Sequence, residues 1–295
     1  MQLDVRELCR RLEGINYIGE EDNILTVFLD LKLQKPLLIE GAPGVGKTEM
    51  GKALAEVFGA ELIRLQCYEG LDENKALYEW NYQKQLLAIQ MSREMGRQDL
   101  DTADLFTVDY LMQRPLLKAI RSPRKTVLLI DEVDKCDHEF EAFLFEVLSD
   151  FQVSIPELGT IKARQIPIVV LTSNSERELS DGLRRRCIYL YLDFPTVERE
   201  IRIISRKVPE AGGRLAEEIA RTVSILRENG HIHKKPSIAE TLDWARALVS
   251  LGHDCLSATL IQDSLGLLLK SKRDQQAFRE EIDVQTLWQR VGERS

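Results

Sequence analysis

Long apolar runs are missing from this 295-residue chain. None approaches the ~20 residues that cross a bilayer, and the opening MQLDVRELCRRLEG is charged and lacks the apolar centre of a secretory signal. The chain is therefore expected to be soluble and cytoplasmic, with membrane contact, if any, only indirect, through a partner. Proline (9) and glycine (17) are too scarce for collagen-like or low-complexity character, and no internal repeat is found. The five cysteines, at 9, 67, 136, 187 and 255, lie more than fifty residues apart, so no CxxC pair offers the spacing of a zinc or redox site and reduced thiols are expected. Histidine numbers only 4; His231 and His233 form an HxH, but no nearby cysteine or carboxylate cluster completes a metal site. Positive charge is in deficit as well: 40 Lys and Arg stand against 48 Asp and Glu, a net charge of -8. That balance argues against a sequence-independent grip on a phosphate backbone and makes nucleic acid a disfavoured partner. The basic stretches 114–125 and 184–186 are left as local patches or solvated surface.

What is present is the material of a globular protein, with 44% hydrophobic residues, enough for one large domain or two modest ones. From about residue 36 to 195, short β-rich apolar runs at 36–40, 61–66, 126–130, 168–172 and 188–192 alternate with helical stretches. Continuous apolar segments such as TVLLI and IPIVVLT fit strands covered on both faces, hence a five-stranded parallel sheet with crossover helices. Residues 1–195 are expected to form this α/β domain. Two features interrupt it: an insert at about 68–100, with aromatic-rich residues 68–82 and a helix over 83–95, and a β-hairpin at about 151–166 turning at Gly159. After Asp193-Phe194-Pro195-Thr196 apolar positions recur at helical spacing, so residues 196–295 read as a separate helical domain. Its helices are expected at 197–207, 214–227, 238–250 and 258–272, with a last one ending near Trp288.

The chemistry is carried by Gly41-Ala42-Pro43-Gly44-Val45-Gly46-Lys47-Thr48, a GxxxxGK[ST] match directly after one predicted strand and opening a helix over 49–57. Glycines let the backbone curl so that its N–H groups point at phosphate oxygens, and the helix N-terminus adds a favourable dipole. Lys47 is then expected on the β and γ phosphates of ATP, and the Thr48 hydroxyl on Mg2+. Hydrolysis needs a carboxylate that prepares the attacking water. The apolar strand ending in Asp131-Glu132 supplies one: Asp131 to hold Mg2+ through water, Glu132 as general base.

Asn174, just past the predicted strand 168–172, faces the γ-phosphate and the water if that strand lies between the P-loop strand and the Asp131 strand; otherwise it is a turn residue. The triplet Arg184-Arg185-Arg186 precedes the fifth strand without acidic partners in sequence, which suits either an arginine finger reaching a neighbouring subunit or a solvated basic turn. Tyr78, Trp80 and Tyr82 are open to two readings, a partner-facing surface or core packing; Trp244 reads as core.

These residues together resemble the AAA+ ATPases: a P-loop, the acidic strand Leu-Leu-Ile-Asp-Glu, Asn174 as sensor 1, an arginine ahead of the fifth strand and a helical lid. The resemblance covers nearly the whole chain. The insert, the hairpin and the stretch LIEGAPGVGKTE look like the MoxR branch. LQCYEGLD, LYEWNY, LSDGLRRRC and AETLDWAR look like its members associated with carbon monoxide dehydrogenase maturation. The resemblance implies a P-loop NTPase with an AAA+ core followed by an all-α lid, assembled as a ring, with six subunits the usual number. It further implies ATP hydrolysis with Mg2+, work on a client metalloenzyme such as a molybdenum-containing carbon monoxide dehydrogenase, and a von Willebrand A domain partner. A nucleotide-gated binding module or a DNA-acting ATPase are the alternatives. Carried over by residue, nucleotide contacts fall on Gly41 through Thr48, on Glu49 and Asp131, and on Ile18 and Gly19 near the adenine. Glu132 is the base, Arg186 the first choice of finger and Arg185 the second. Where a sensor-2 arginine is usual this chain has Ser237, preceded by Lys234 and Lys235, and lysine lacks the planar fork of arginine.

Overall fold

A computed structural model of the protein describes residues 4–94, 102–281, 284, 287 and 288. The described residues fall into two compact units, one running to Gly41 and resuming from Lys47 to Tyr191, the other joining Ala42–Gly46 to the residues from Leu192 on. The first unit opens with helices α1 (Val5–Gly14) and α2 (Glu21–Leu33), neither of which the strand-centred sequence reading anticipates. There follow β1 (Leu37–Gly41), α3 (Lys47–Val57), β2 (Glu61–Gln66), α4 (Glu73–Ala76), β3 (Tyr78–Trp80), α5 (Tyr82–Glu94) and α6 (Thr102–Leu105). Next are β4 (Leu111–Gln113), α7 (Pro115–Arg121), β5 (Thr126–Asp131), α8 (His138–Asp150), β6 (Gln152–Ile155) and β7 (Gly159–Lys162). The unit closes with β8 (Ile168–Ser173), α9 (Asp181–Arg186) and β9 (Ile188–Leu192).

Five of these strands make a parallel sheet in the order β2-β5-β8-β1-β9. Every residue of β1, β5 and β8 is buried, which explains why their sequences carry no polar alternation. The registers Val127↔Ile168 and Leu37↔Val170 set β8 between β5 and β1, the arrangement on which the reading of Asn174 depends. At the edge, β2 keeps a two-residue alternation, with Ile63 and Leu65 buried and Leu62, Arg64 and Gln66 exposed. Two small antiparallel pairs form apart from this sheet: β3 with β4, which α5 and α6 separate in the chain, and the hairpin of β6 with β7; Gly159, at φ 74°, opens β7. Trp80 belongs to the core, edge-on to Phe106 at 5.2 Å and to Tyr78 at 6.0 Å, while Tyr82 stays 61% exposed on α5. Residues 95–100 of the expected insert lie outside the described residues.

The second unit packs α10 (Val197–Lys207), α11 (Gly212–Glu228), α12 (Ile238–Ser250), α13 (Ala258–Leu268) and α14 (Lys272–Glu281) around Leu215, Ile219, Leu226, Trp244, Leu248 and Phe278. Fully burying each such side chain contributes roughly 1.5–3 kcal/mol. Trp244 satisfies its indole N–H on Ser264 Oγ at 2.7 Å. The helix expected over 258–272 stops at Leu268, and α14 starts at Lys272. Leu268 and Leu269 are both buried, and adjacent residues on one helix point about 100° apart, so the chain leaves the helix at Leu269 (φ -105°, ψ 105°) to bury both. Gln275 Nε2 then donates to the Leu269 carbonyl at 2.8 Å. Of the last expected helix, the part beyond 281 is described only at 284, 287 and 288. Among the described residues no helix is long and apolar enough to cross a membrane.

Candidate active site

The C-terminal ends of β1, β5 and β8 bring their last residues together, because parallel neighbours in register finish at the same edge. β1 ends at Gly41, where the chain turns into the loop 42–46; Gly44 (φ 76°) and Gly46 (φ 103°) adopt backbone angles that side chains other than glycine rarely tolerate. A Cβ on Gly44 would lie 2.3 Å from the Cβ of Ser237, and the Ile238 N–H donates to the Gly44 carbonyl at 3.2 Å. Ser237 is the N-cap of α12 and closes a capping box with Glu240.

Lys47, the first residue of α3, is buried. Its Nζ donates to the Gly41 carbonyl at 2.6 Å and to Asn174 Oδ1 at 2.7 Å, which brings the P-loop lysine and the expected sensor residue into direct contact. Burial pushes the Lys47 ammonium below its ordinary range, against the pull of Asp134, Asp131 and Glu132. The Thr48 hydroxyl donates to Asp131, 2.9 Å from Oδ1 and 3.3 Å from Oδ2. Glu132 follows with φ 58° and ψ 50°, a left-handed conformation unusual for a side-chain-bearing residue and of a kind that clusters at functional sites. Its N–H donates to Thr172 Oγ1 at 3.0 Å, and that hydroxyl donates onward to Asp131 Oδ1 at 2.5 Å. One threonine of β8 thus fixes both acidic residues.

Sequence reasoning missed several of the groups around this pair. From the edge strand, Arg64 Nη2 donates to Asp131 Oδ2 at 2.5 Å and to Gln66 Oε1 at 2.7 Å. Gln66 Nε2 reaches Glu132 Oε2 at 2.9 Å, and Lys135 Nζ reaches the same oxygen at 2.7 Å. Buried Asp134 accepts the backbone N–H groups of Asn174 and Glu176, each at 3.0 Å, and so sets the start of the loop after β8. The only signal in the sequence was the polar alternation at the end of β2, which becomes meaningful once Gln66 is known to lie beside Asp131 in the register.

The profile of the AAA domain family, dynein-related subfamily, matches residues 36–187. The chain belongs to that family. As an AAA+ ATPase it carries the nucleotide-binding function of the P-loop fold and, in general terms, ATP hydrolysis. An uncharacterized protein of Staphylococcus aureus (strain USA300) is 23% identical over 274 residues, 88% of this chain and 95% of that protein. The chaperone ClpB of Bacillus cereus is 27% identical over 60% of this chain, a match spanning 20% of ClpB. Among solved structures, a variant of Thermotoga maritima RuvB superposes with a TM-score of 0.53 at 20% identity, covering 94% of this chain and 83% of RuvB, a likeness of fold.

Within the AAA+ frame the three arginines ahead of β9 differ sharply. Arg184 is engaged with buried Glu40 at 2.9 Å and stacks near Tyr189, whose hydroxyl also donates to Glu40. Arg186 lies 3.9 Å over the Phe145 ring and bonds Ser149 Oγ. Arg185 has 82% of its side chain exposed, with Asp181 one turn back at 3.9 Å. Their helix is positioned by buried Glu141, which accepts the Ser180 N–H at 2.9 Å and pairs with Arg177. Ile18 and Gly19 lie between α1 and α2, with Ile18 buried and Gly19 packed against the Ile24 side chain. Glu49 faces outward in the first turn of α3, paired with Lys52 at 2.7 Å. Among the described residues no group of three or more His, Cys, Asp or Glu could hold a metal ion, and His231 and His233 are exposed.

Proposed function

We propose that this AAA+ protein hydrolyses ATP to remodel a client protein, as a MoxR-type chaperone working in the cytoplasm as a ring of six subunits. The observation that carries the hydrolytic part is the linked set Lys47–Asn174 and Thr48–Asp131–Thr172–Glu132. A phosphate cradled by the loop 41–48 meets the Lys47 ammonium, which exchanges its Gly41 and Asn174 acceptors for phosphate oxygens; Asn174, released, is free to orient water. Glu132 accepts the proton of that water as the water oxygen bonds the γ-phosphorus and the bond from that phosphorus to the β,γ-bridging oxygen breaks, with ADP and phosphate as the products. Thr48 and Asp131 offer adjacent oxygen donors of the hard kind Mg2+ prefers, and when bound the ion neutralises charge on the phosphates. Ile18 and Gly19 are assigned to the adenine side.

For the finger, the engagement of Arg184 and Arg186 favours Arg185, reversing the order suggested by sequence. In the lid, Ser237 caps its own helix, so nucleotide sensing there is assigned to Lys234 or Lys235. The likeness to ClpB, a chaperone protein, supports remodelling as the class of work. The finer assignment, a metalloenzyme client such as a molybdenum-containing carbon monoxide dehydrogenase with a von Willebrand A domain partner, rests on the insert, the hairpin and the quoted motifs. It is tested by capture: Glu132→Gln held in ATP is expected to retain client and partner together. Recovery of neither a molybdenum hydroxylase nor a von Willebrand A protein from a host that makes both contradicts it.

A further inference from the structure

The Asp131 carboxylate is crowded in an informative way. Oδ1 accepts from Thr48 and Thr172, and Oδ2 accepts from Arg64 at 2.5 Å with the same Thr48 hydroxyl 3.3 Å away, so three donors take three of the roughly four lone-pair directions of the group. Thr48 and Thr172 are neutral and compatible with a cation beside the carboxylate. Arg64 is not: its guanidinium is permanently charged, and a dication brought to the same oxygens meets its repulsion.

The surroundings make Arg64 removable. It rises from the outermost strand of the sheet, and 51% of its side chain is exposed, against 4% for Asp131. Swinging into water therefore hydrates the guanidinium and forfeits little beyond the contact itself, whereas Asp131 stays buried at the end of its strand. The same Nη2 also holds Gln66 Oε1 at 2.7 Å, and Gln66 in turn holds Glu132 at 2.9 Å. One hydrogen-bonded chain, Asp131–Arg64–Gln66–Glu132, thus joins the two carboxylates through side chains of the neighbouring strand.

We propose that Arg64 is a displaceable latch: its guanidinium occupies the carboxylate a divalent cation would take, and metal loading expels it and ends its hold on Gln66. The proposal rests on the reading of Asp131 as the metal-side carboxylate. Arg64 acts as a positioning residue, through Asp131 and Gln66.

The test is a titration of the full chain with Mn2+ in the presence of a non-hydrolysable ATP analogue, free Mn2+ being read by electron paramagnetic resonance. Asp131→Asn should weaken Mn2+ binding. Arg64→Ala and Arg64→Gln should each tighten it by about tenfold, the scale of one charge-assisted contact released, with folding checked by circular dichroism. Gln keeps a polar side chain at that position without the charge, so tightening in both variants isolates charge competition from loss of the side chain. A residue that merely supported the strand would weaken or leave unchanged the Mn2+ affinity when removed. If Asp131→Asn binds Mn2+ as wild type does, the underlying reading of Asp131 fails. If Asp131→Asn weakens binding but folded Arg64 variants bind no more tightly than wild type, the latch is overturned and the reading of Asp131 stands.

Discussion

Asp30 on α2 is 2% exposed, and its Oδ1 has no hydrogen-bond partner among the described residues. Burial alone raises its carboxyl from the ordinary 3.8 to about 8. It lines a pocket of ≈ 170 Å³ with Lys32, Lys35, Lys125, Phe28 and Phe58, and lies near the Cys187 thiol, which burial and Asp30 push up to about 12. The sign follows from proton binding. Between pH 4 and pH 8 the folded protein keeps a proton on Asp30 that the unfolded chain has lost, so stability falls as pH rises through that window and levels off above it. From pH 5 to pH 8 the change is about three units at 1.36 kcal/mol each, or roughly 4 kcal/mol from this one residue. Asp30→Asn removes the slope. The variant is expected to be about 1–2 kcal/mol less stable than wild type at pH 5, where an amide replaces a neutral carboxyl without gaining a partner, and more stable at pH 8. Urea unfolding at pH 5, 6, 7 and 8, followed by circular dichroism, measures the difference. Parallel pH profiles for the two proteins would refute the reasoning.

Gly44→Ala combines a backbone angle of +76° with a Cβ 2.3 Å from Ser237, so it should lower the unfolding temperature and abolish ATP binding; Gly59→Ala, also at positive φ but with open space around its Cβ, should keep ATP binding. In the second unit, Arg227 is buried between the Glu200 carboxylate, at 2.6 and 2.9 Å, and the Pro236 carbonyl, with Phe194 stacked at 4.6 Å. Arg227→Met should cost about 3–5 kcal/mol by stranding Glu200, and adding Glu200→Leu should recover much of it, measured as a double-mutant cycle in urea. Arg185→Ala should lower ATP turnover of the assembled protein by about 10³ with an unchanged unfolding temperature, whereas Arg186→Ala, which loses the Phe145 stacking, should shift the unfolding temperature more than the rate. Equal rate losses in both would remove the distinction drawn between them.

The central strands were legible because burial on both faces leaves a plain apolar run, and the loop 41–48 because its chemistry demands glycines at fixed spacing before a lysine. The condition attached to Asn174 was met by the strand order, which brings its side chain to Lys47. What the sequence hid depends on neighbours distant along the chain. Arg64 and Gln66 matter only because β2 lies against β5, and Glu40, which occupies Arg184, is 144 residues from it. The arginine triplet therefore looked uniform while its members have three different environments. α2 went unread for another reason: it exposes Leu25, Leu29 and Leu33 and so lacks the clean apolar stripe that marks a helix, whereas α1 does carry one, Val5, Leu8, Cys9 and Leu12 at helical spacing in an otherwise charged stretch, and was open to being read.

The central claim is that a magnesium nucleotide occupies the loop 41–48 and is cleaved by water that Glu132 prepares. Calorimetric titration with ATP and Mg2+, run beside phosphate release on the same preparations, tests it most directly. Wild type and Glu132→Gln should both bind one nucleotide per chain, with turnover in wild type alone, and Lys47→Ala should bind none. A folded wild-type protein that takes up no adenine nucleotide, or Glu132→Gln turning over at the wild-type rate, would contradict it.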